Sequence, residues 1–185
     1  PKPTPTPTPK PTPTRQLALQ AQGGISLGDL PGFGGTVGGA GALLLPRGRG
    51  ELGARYGPPR PRRVARTDVG ADFSLWAIQA RACVVPRAGP VEFPLCLGTE
   101  AGQLRARPVG LEAQNPGRTP WVATTAAPSI AWAPIRNLAV VLGAAAVVPF
   151  IRRQFDVLDA TGPRALHRPR PVGLRVNLGL EARFP

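Results

Sequence analysis

Apolar and polar residues alternate without a break from Val172 to Phe184. Val172, Leu174, Val176, Leu178, Leu180, Ala182 and Phe184 share one phase; Gly173, Arg175, Asn177, Gly179, Glu181 and Arg183 share the other. Side chains of a strand alternate with period two, so this segment predicts a strand with one apolar and one charged wall. Similar alternation recurs over 16–27, 36–45, 51–57, 69–85, 91–103, 121–133 and 138–150, between turn signals such as Asp29-Leu30-Pro31-Gly32 and Arg87-Ala88-Gly89-Pro90. The phase of 69–85 slips near 76–78, which predicts a β-bulge there. No apolar run approaches the roughly 18 residues of a membrane-spanning helix.

About eight segments result. Their connections alternate between short (46–50, 86–90, 134–137) and long (58–68, 105–120, 151–171), with 29–35 intermediate. An even strand number puts both chain ends on the short-turn side. Short turns at one end and long loops at the other are the pattern of outer-membrane barrels. The expected fold is all-β: an antiparallel up-and-down transmembrane β-barrel of about eight strands. The charged wall would then line the lumen and the apolar wall would face lipid. Aromatic residues are expected in two belts at the membrane interfaces: Phe93, Trp132 and Phe184 at the short-turn ends, and Tyr56, Phe73, Trp121 and Phe150 at the long-loop ends. Trp76 alone reads as mid-strand.

Composition changes this picture little. The net charge of +13 is almost all arginine, since lysine occurs only at positions 2 and 10; a GC-rich genome produces the same bias. Residues 1–15 read as a linker, with proline at every odd position through Pro13. Proline fixes φ and lacks an N–H, so polyproline II is the available form, at about 3.1 Å per residue or roughly 40 Å in all. Residues 16–185 form the barrel domain. Methionine is absent, even at position 1, which implies a piece of a longer protein with something attached upstream.

The final strand Arg175-Val176-Asn177-Leu178-Gly179-Leu180-Glu181-Ala182-Arg183-Phe184, the eight segments and the loop asymmetry resemble the small bacterial outer-membrane barrels of the OmpA/OmpX type. They also look like the Pro-linked barrel domains of myxobacterial proteins. The resemblance covers about residues 16–184. It implies that Phe184 acts as the terminal aromatic signal for the barrel-insertion machinery; Pro185 after it is a departure from the pattern.

Candidate chemistry is sparse. Cys83 and Cys96 flank the 87–90 turn symmetrically, which places them opposite one another within disulfide range. The polar phase supplies a lumen network of Glu51, Arg55, Asp72, Arg81, Glu92, Glu100, Arg175, Glu181 and Arg183. An eight-stranded barrel is only just wide enough for its own side chains, so these charges should pair and plug it. The basic outer loops carry Arg60, Arg62, Arg63 and Arg66, then Arg152, Arg153, Arg164, His167, Arg168 and Arg170. Arginine forks match the phosphates of lipopolysaccharide; solvated loops are the plainer account. No motif supports nucleic acid as a partner. With a single histidine, triads and His-based metal sites are excluded, and no cofactor is implied.

The expected function is therefore non-enzymatic: a bacterial outer-membrane barrel, termini on the periplasmic side, acting as an anchor or surface sensor for an upstream region of the same polypeptide. Its partners would be outer-membrane lipid, lipopolysaccharide phosphates and the insertion machinery. The alternative is a narrow channel, or a soluble lipocalin-like barrel for a small apolar ligand.

Overall fold

The structure is a computed structural model; it describes residues 15–63, 69–110, 117–159 and 162–185, and the side chains of 156–166 fall outside the description. The Pro/Thr-rich stretch 1–14 and Arg66 lie outside the described residues. Among the described residues twelve strands follow in order: β1 (Gln16–Leu27), β2 (Phe33–Leu44), β3 (Gly48–Arg63), β4 (Gly70–Val84), β5 (Arg87–Ala88), β6 (Val91–Glu92), β7 (Leu95–Val109), β8 (Gly117–Ile135), β9 (Leu138–Pro149), β10 (Phe155–Asp159), β11 (Gly162–His167) and β12 (Gly173–Phe184). Eight of them, β1-β2-β3-β4-β7-β8-β9-β12, pair antiparallel around a ring, and β12 returns to β1 through Leu17↔Phe184 to Leu27↔Leu174. Closure leaves no strand of the ring without a neighbour on each side, a requirement for spanning a bilayer with strands. The β5–β6 hairpin elongates the turn between β4 and β7, and β10–β11 forms a hairpin inside the last long loop.

The two walls of β12 settle the orientation. Leu178 is 59 % exposed on the outside, whereas Arg175 is 5 % exposed inside. The same holds around the ring, where Leu17, Leu52, Ile78, Leu97, Ile130 and Leu142 all point outward. This is the reverse of a water-soluble barrel.

Several sequence expectations require correction. No bulge occurs in β4, which keeps continuous register with β3 and β7 across 76–78. The slip in hydrophobic phase has another cause. Toward the loop end, the inward phase of β4 is Ala71, Phe73, Leu75 and Ala77, and the outward phase includes Asp72 and Ser74. Toward the turn end, Gln79 and Arg81 point in while Ile78, Ala80 and Ala82 point out. Polarity inverts along one straight strand.

Phe73 and Trp121 therefore belong to no outer belt. Both point inward, in an apolar cap under the loops with Leu30, Leu75, Leu104 and Val147. Tyr56, Trp76, Phe93, Trp132, Phe150 and Phe184 are exposed on the outer face, joined by Phe33 at the start of β2.

The bulge lies instead in β3, where Gly57 pairs with Leu75 and Arg60 with Phe73, so that Pro58 and Pro59 oppose Ser74 alone. Bulges tolerate proline, and β2 leaves this part of β3 unpaired, its register with β3 ending at Val37↔Tyr56. Hence β3 continues through a run expected to be loop. The segment 105–120 is likewise mostly strand, in β7 and β8.

Candidate functional site: a charge-filled lumen

The inward side chains form two ion-pair groups. On the loop side Glu100 of β7 is the hub. It accepts hydrogen bonds from Arg55 Nε and Nη2 (3.1 and 2.9 Å), from Arg175 Nη1 and Nη2 (2.9 and 2.8 Å) and from Trp121 Nε1 (2.6 Å). Arg175 Nε also donates to Asp29 at 2.8 Å, and Arg55 lies 3.5 Å from the same carboxylate. Two arginines thus face two carboxylates. All are buried, so the balance avoids the large cost of an isolated charge.

The turn-side group is built alike. Arg49 bridges Glu51 and Glu181, and Arg81 reaches Glu51 at 3.3 Å. Arg183 joins Glu181 (2.7 Å) to Glu92 (3.1 and 2.8 Å), while Arg87 contacts Glu92 from the rim at 3.0 Å. Gly98 makes room for this group. It stands opposite Arg81, and a Cβ there would come within 2.5 Å of the Arg81 Cγ.

Between and beside the groups lie two polar cavities of about 30 and 20 Å³, lined by Gln22, Gln79, Thr125, Ser129 and Asn177. Each has room for a water or two. A larger apolar concavity, about 920 Å³, lies outside, against Leu17, Leu19, Leu43, Leu52 and Leu97. A lipocalin would hold its apolar pocket within.

Of the nine residues expected in the lumen, the structure brings eight together. Asp72 points outward and pairs with Arg63 at 2.9 Å, because it sits on the part of β4 where polarity is inverted. Arg60, expected in an outer loop, is buried in the barrel mouth; it donates to the Ser26 hydroxyl at 2.8 Å and the Gly35 carbonyl at 2.9 Å. Arg62, Arg63, Arg152, Arg153, Arg168 and Arg170 are exposed on the loop side, and the Arg164 side chain lies outside the description.

Sequence reasoning missed Asp29 and Leu30, read as turn residues. Their loop folds into the mouth instead, with Gly28 at φ +100° and Gly32 at φ +66° allowing the reversals. Arg49 was missed because it preceded the assigned start of its strand.

His167 closes the mouth from above. Its ring lies 5.2 Å from that of Phe73, and its Nε2 is 3.3 Å from the Asp29 carbonyl, which only an Nε2–H can satisfy. Burial lowers the His167 pKa; the carbonyl bond opposes this and nearby Arg62 adds to it.

Cys83 and Cys96 are direct register partners on β4 and β7 and are joined by a disulfide, with Cα atoms 4.0 Å apart. Glu51 lies close by. Both sulfurs are bonded to each other, so this trio offers no thiolate for a metal.

No family model and no curated protein matches the chain. Solved structures do. A major outer membrane protein from Thermus thermophilus aligns over 92 % of this chain and all of its own, with TM-score 0.67 and 13 % identity. The fold is that of the small outer-membrane barrels. Neisserial surface protein A aligns over 91 % of this chain and 96 % of its own, with TM-score 0.59 and 12 % identity. Ail of Yersinia pestis, solved with the heparin analogue sucrose octasulfate, covers 92 % and 98 %, with TM-score 0.54 and 10 % identity. At such identities the likeness extends to the barrel and no further. Within this outer-membrane-type barrel, the two ion-pair groups described above occupy the lumen.

Proposed function

We propose that this domain is a non-enzymatic barrel embedded in a bacterial outer membrane, which anchors an upstream region of the same polypeptide through the Pro/Thr-rich tether of residues 1–15. The apolar outside and charged inside of the wall carry this reading: Leu178 and its outward neighbours need a lipid solvent, and Arg175 and its partners need none. The start of β1 and the end of β12 lie at the short-turn rim, so the termini would face the periplasm and the long loops the exterior. Phe184, exposed at the end of β12, would serve as the signal read by the insertion machinery. On the loop side, the exposed Arg62, Arg63, Arg168 and Arg170 suit phosphates of lipopolysaccharide or other anionic sugars. The heparin analogue bound to Ail is of that class.

The test is insertion. Purified protein diluted from urea into phosphatidylcholine vesicles should float with the vesicles and run on a gel with heat-dependent mobility. Recovery as a soluble monomer without lipid would overturn the membrane reading. Planar-bilayer recording separates anchor from channel: stable, large single-channel steps would promote the channel.

A further inference from the structure

We propose, on the membrane reading above, that Arg105, Arg107 and Arg118 form a phosphate-binding cradle on the outer wall of the barrel, which takes the phosphorylated headgroup of an outer-leaflet lipid. Arg105 of β7 and Arg118 of β8 are direct register partners, and both side chains are exposed on the outer face. Arg107 lies two residues further along the same face of β7. Directly opposed like charges destabilise a strand pair. Three such charges within two residues of one another call for a counter-anion.

The protein does not supply one among the described residues. Asp72 stands in register with Arg107, but its carboxylate is bonded to Arg63 at 2.9 Å. Arg105 Nε donates to Gln103 at 2.7 Å, which orients the guanidinium without neutralising it. The three arginines line a shallow concavity of about 390 Å³ together with Pro59, Ser74, Pro108 and Asp72, whose charge is already paired with Arg63. Arginine presents a planar fork that matches phosphate oxygens two at a time. A multivalent phosphate between the facing forks would turn the repulsion into charge-assisted hydrogen bonds.

Height selects the source of that phosphate. The outward phase of β7 reads Leu95, Leu97, Thr99, Ala101, Gln103, Arg105. Ten residues separate Leu95 from Arg105; at about 3.4 Å each and a tilt near 40°, that is roughly 26 Å of height, against an apolar band about 25 Å tall. The cradle therefore begins where the hydrocarbon ends, at the level of headgroups. Trp76, exposed on neighbouring β4 and in register with Gln103, marks the same boundary.

The test uses the full chain in detergent micelles with three probes: diphosphoryl lipid A, fully dephosphorylated lipid A, and millimolar inorganic phosphate. Binding is read by native mass spectrometry and gel filtration. The triple variant Arg105→Gln/Arg107→Gln/Arg118→Gln should weaken retention of diphosphoryl lipid A by about tenfold or more, equivalent to about 1.4 kcal/mol. The turn-side variant Arg47→Gln/Arg136→Gln, at two exposed arginines on the opposite rim, should leave it within a factor of about two. Wild-type protein should retain dephosphorylated lipid A only weakly, and inorganic phosphate should not displace the phosphorylated form.

Equal retention by wild type and triple variant overturns the inference, as does indifference to the lipid's phosphates. Displacement by inorganic phosphate would make this a site for free anions and also overturn it. An equal loss in the turn-side variant would reduce the effect to general basicity and overturn the cradle. Should the triple variant not fold, Arg118→Gln alone, which removes the facing charge, should still weaken binding several-fold; no change would count against the cradle. Failure of wild type to float with vesicles defeats the membrane reading itself. Flotation with lipid A retention independent of the three arginines defeats only the cradle.

Discussion

Glu100→Gln is the sharpest single perturbation of the plugged lumen. The amide keeps the shape of the side chain and removes one charge. In the wild type, Arg55 and Arg175 face Asp29 and Glu100, two charges against two. The variant leaves a buried excess of one positive charge. It also turns an acceptor that takes five hydrogen bonds into a group whose NH₂ confronts arginine donors. Removing one partner of a buried pair costs about 3–5 kcal/mol, chiefly because the other is left uncompensated. A loss in that range is expected here. Urea titration of protein folded in phosphatidylcholine vesicles measures it. Trp121, bonded to Glu100, reports locally by fluorescence, and circular dichroism reports the whole barrel. The double variant Glu100→Gln/Arg55→Met restores charge balance, so its cost should fall short of the sum of the singles by about 0.5–3 kcal/mol. A cost under about 1 kcal/mol for Glu100→Gln, or strict additivity in the double, would refute the view that compensated charge holds the lumen together.

Leu178→Arg puts a cation on the outer face of β12 and should cost about 2–4 kcal/mol near the bilayer midplane by the same titration; a neutral result would mean Leu178 does not face lipid. Separating Cys83 from Cys96, as Cys83→Ser/Cys96→Ser, opens a loop spanning 13 positions and should cost about 3 kcal/mol, read against wild type with and without reductant. His167 binds fewer protons folded than unfolded, because burial lowers its pKa. Its contribution is thus present above the unfolded value of about 6.5 and is lost as pH falls through the lower folded value. The urea midpoint should drop across that window, and His167→Gln should flatten the drop; an unchanged slope would show that His167 plays no part.

The sequence carried the barrel because period-two alternation and the spacing of turns are local properties. β1 is bounded by Gln16 and Leu27 as its alternation indicated, and the two cysteines are register partners as their symmetry about Gly89-Pro90 required. Alternation reports two faces but not which is wet. Where the wall leaves the hydrocarbon, Phe73 and Leu75 point in beneath the loops while Asp72 and Ser74 point out, and a rule fixed on one solvent misplaces all four. The same inversion hid Trp121. Asp29 and Leu30 were illegible for another reason: their loop is shaped by Arg175 and Arg55, distant in sequence, rather than by any local signal. Arg105 and Arg118 are ordinary residues along the chain and become a pair only through the register of β7 with β8.

Ring closure through β1 and β12 also has a mechanical consequence. A pull arriving through the chain ahead of Arg15 enters β1 along its own axis. β1 is held on one side by β2, from Gln16↔Leu44 to Leu27↔Phe33, and on the other by β12, from Leu17↔Phe184 to Leu27↔Leu174. Antiparallel ladder bonds lie perpendicular to the strands, so an axial force loads both ladders in shear, with the bonds sharing it at once instead of opening in sequence. The first strand is thus braced along both edges against tension from the side on which the chain enters.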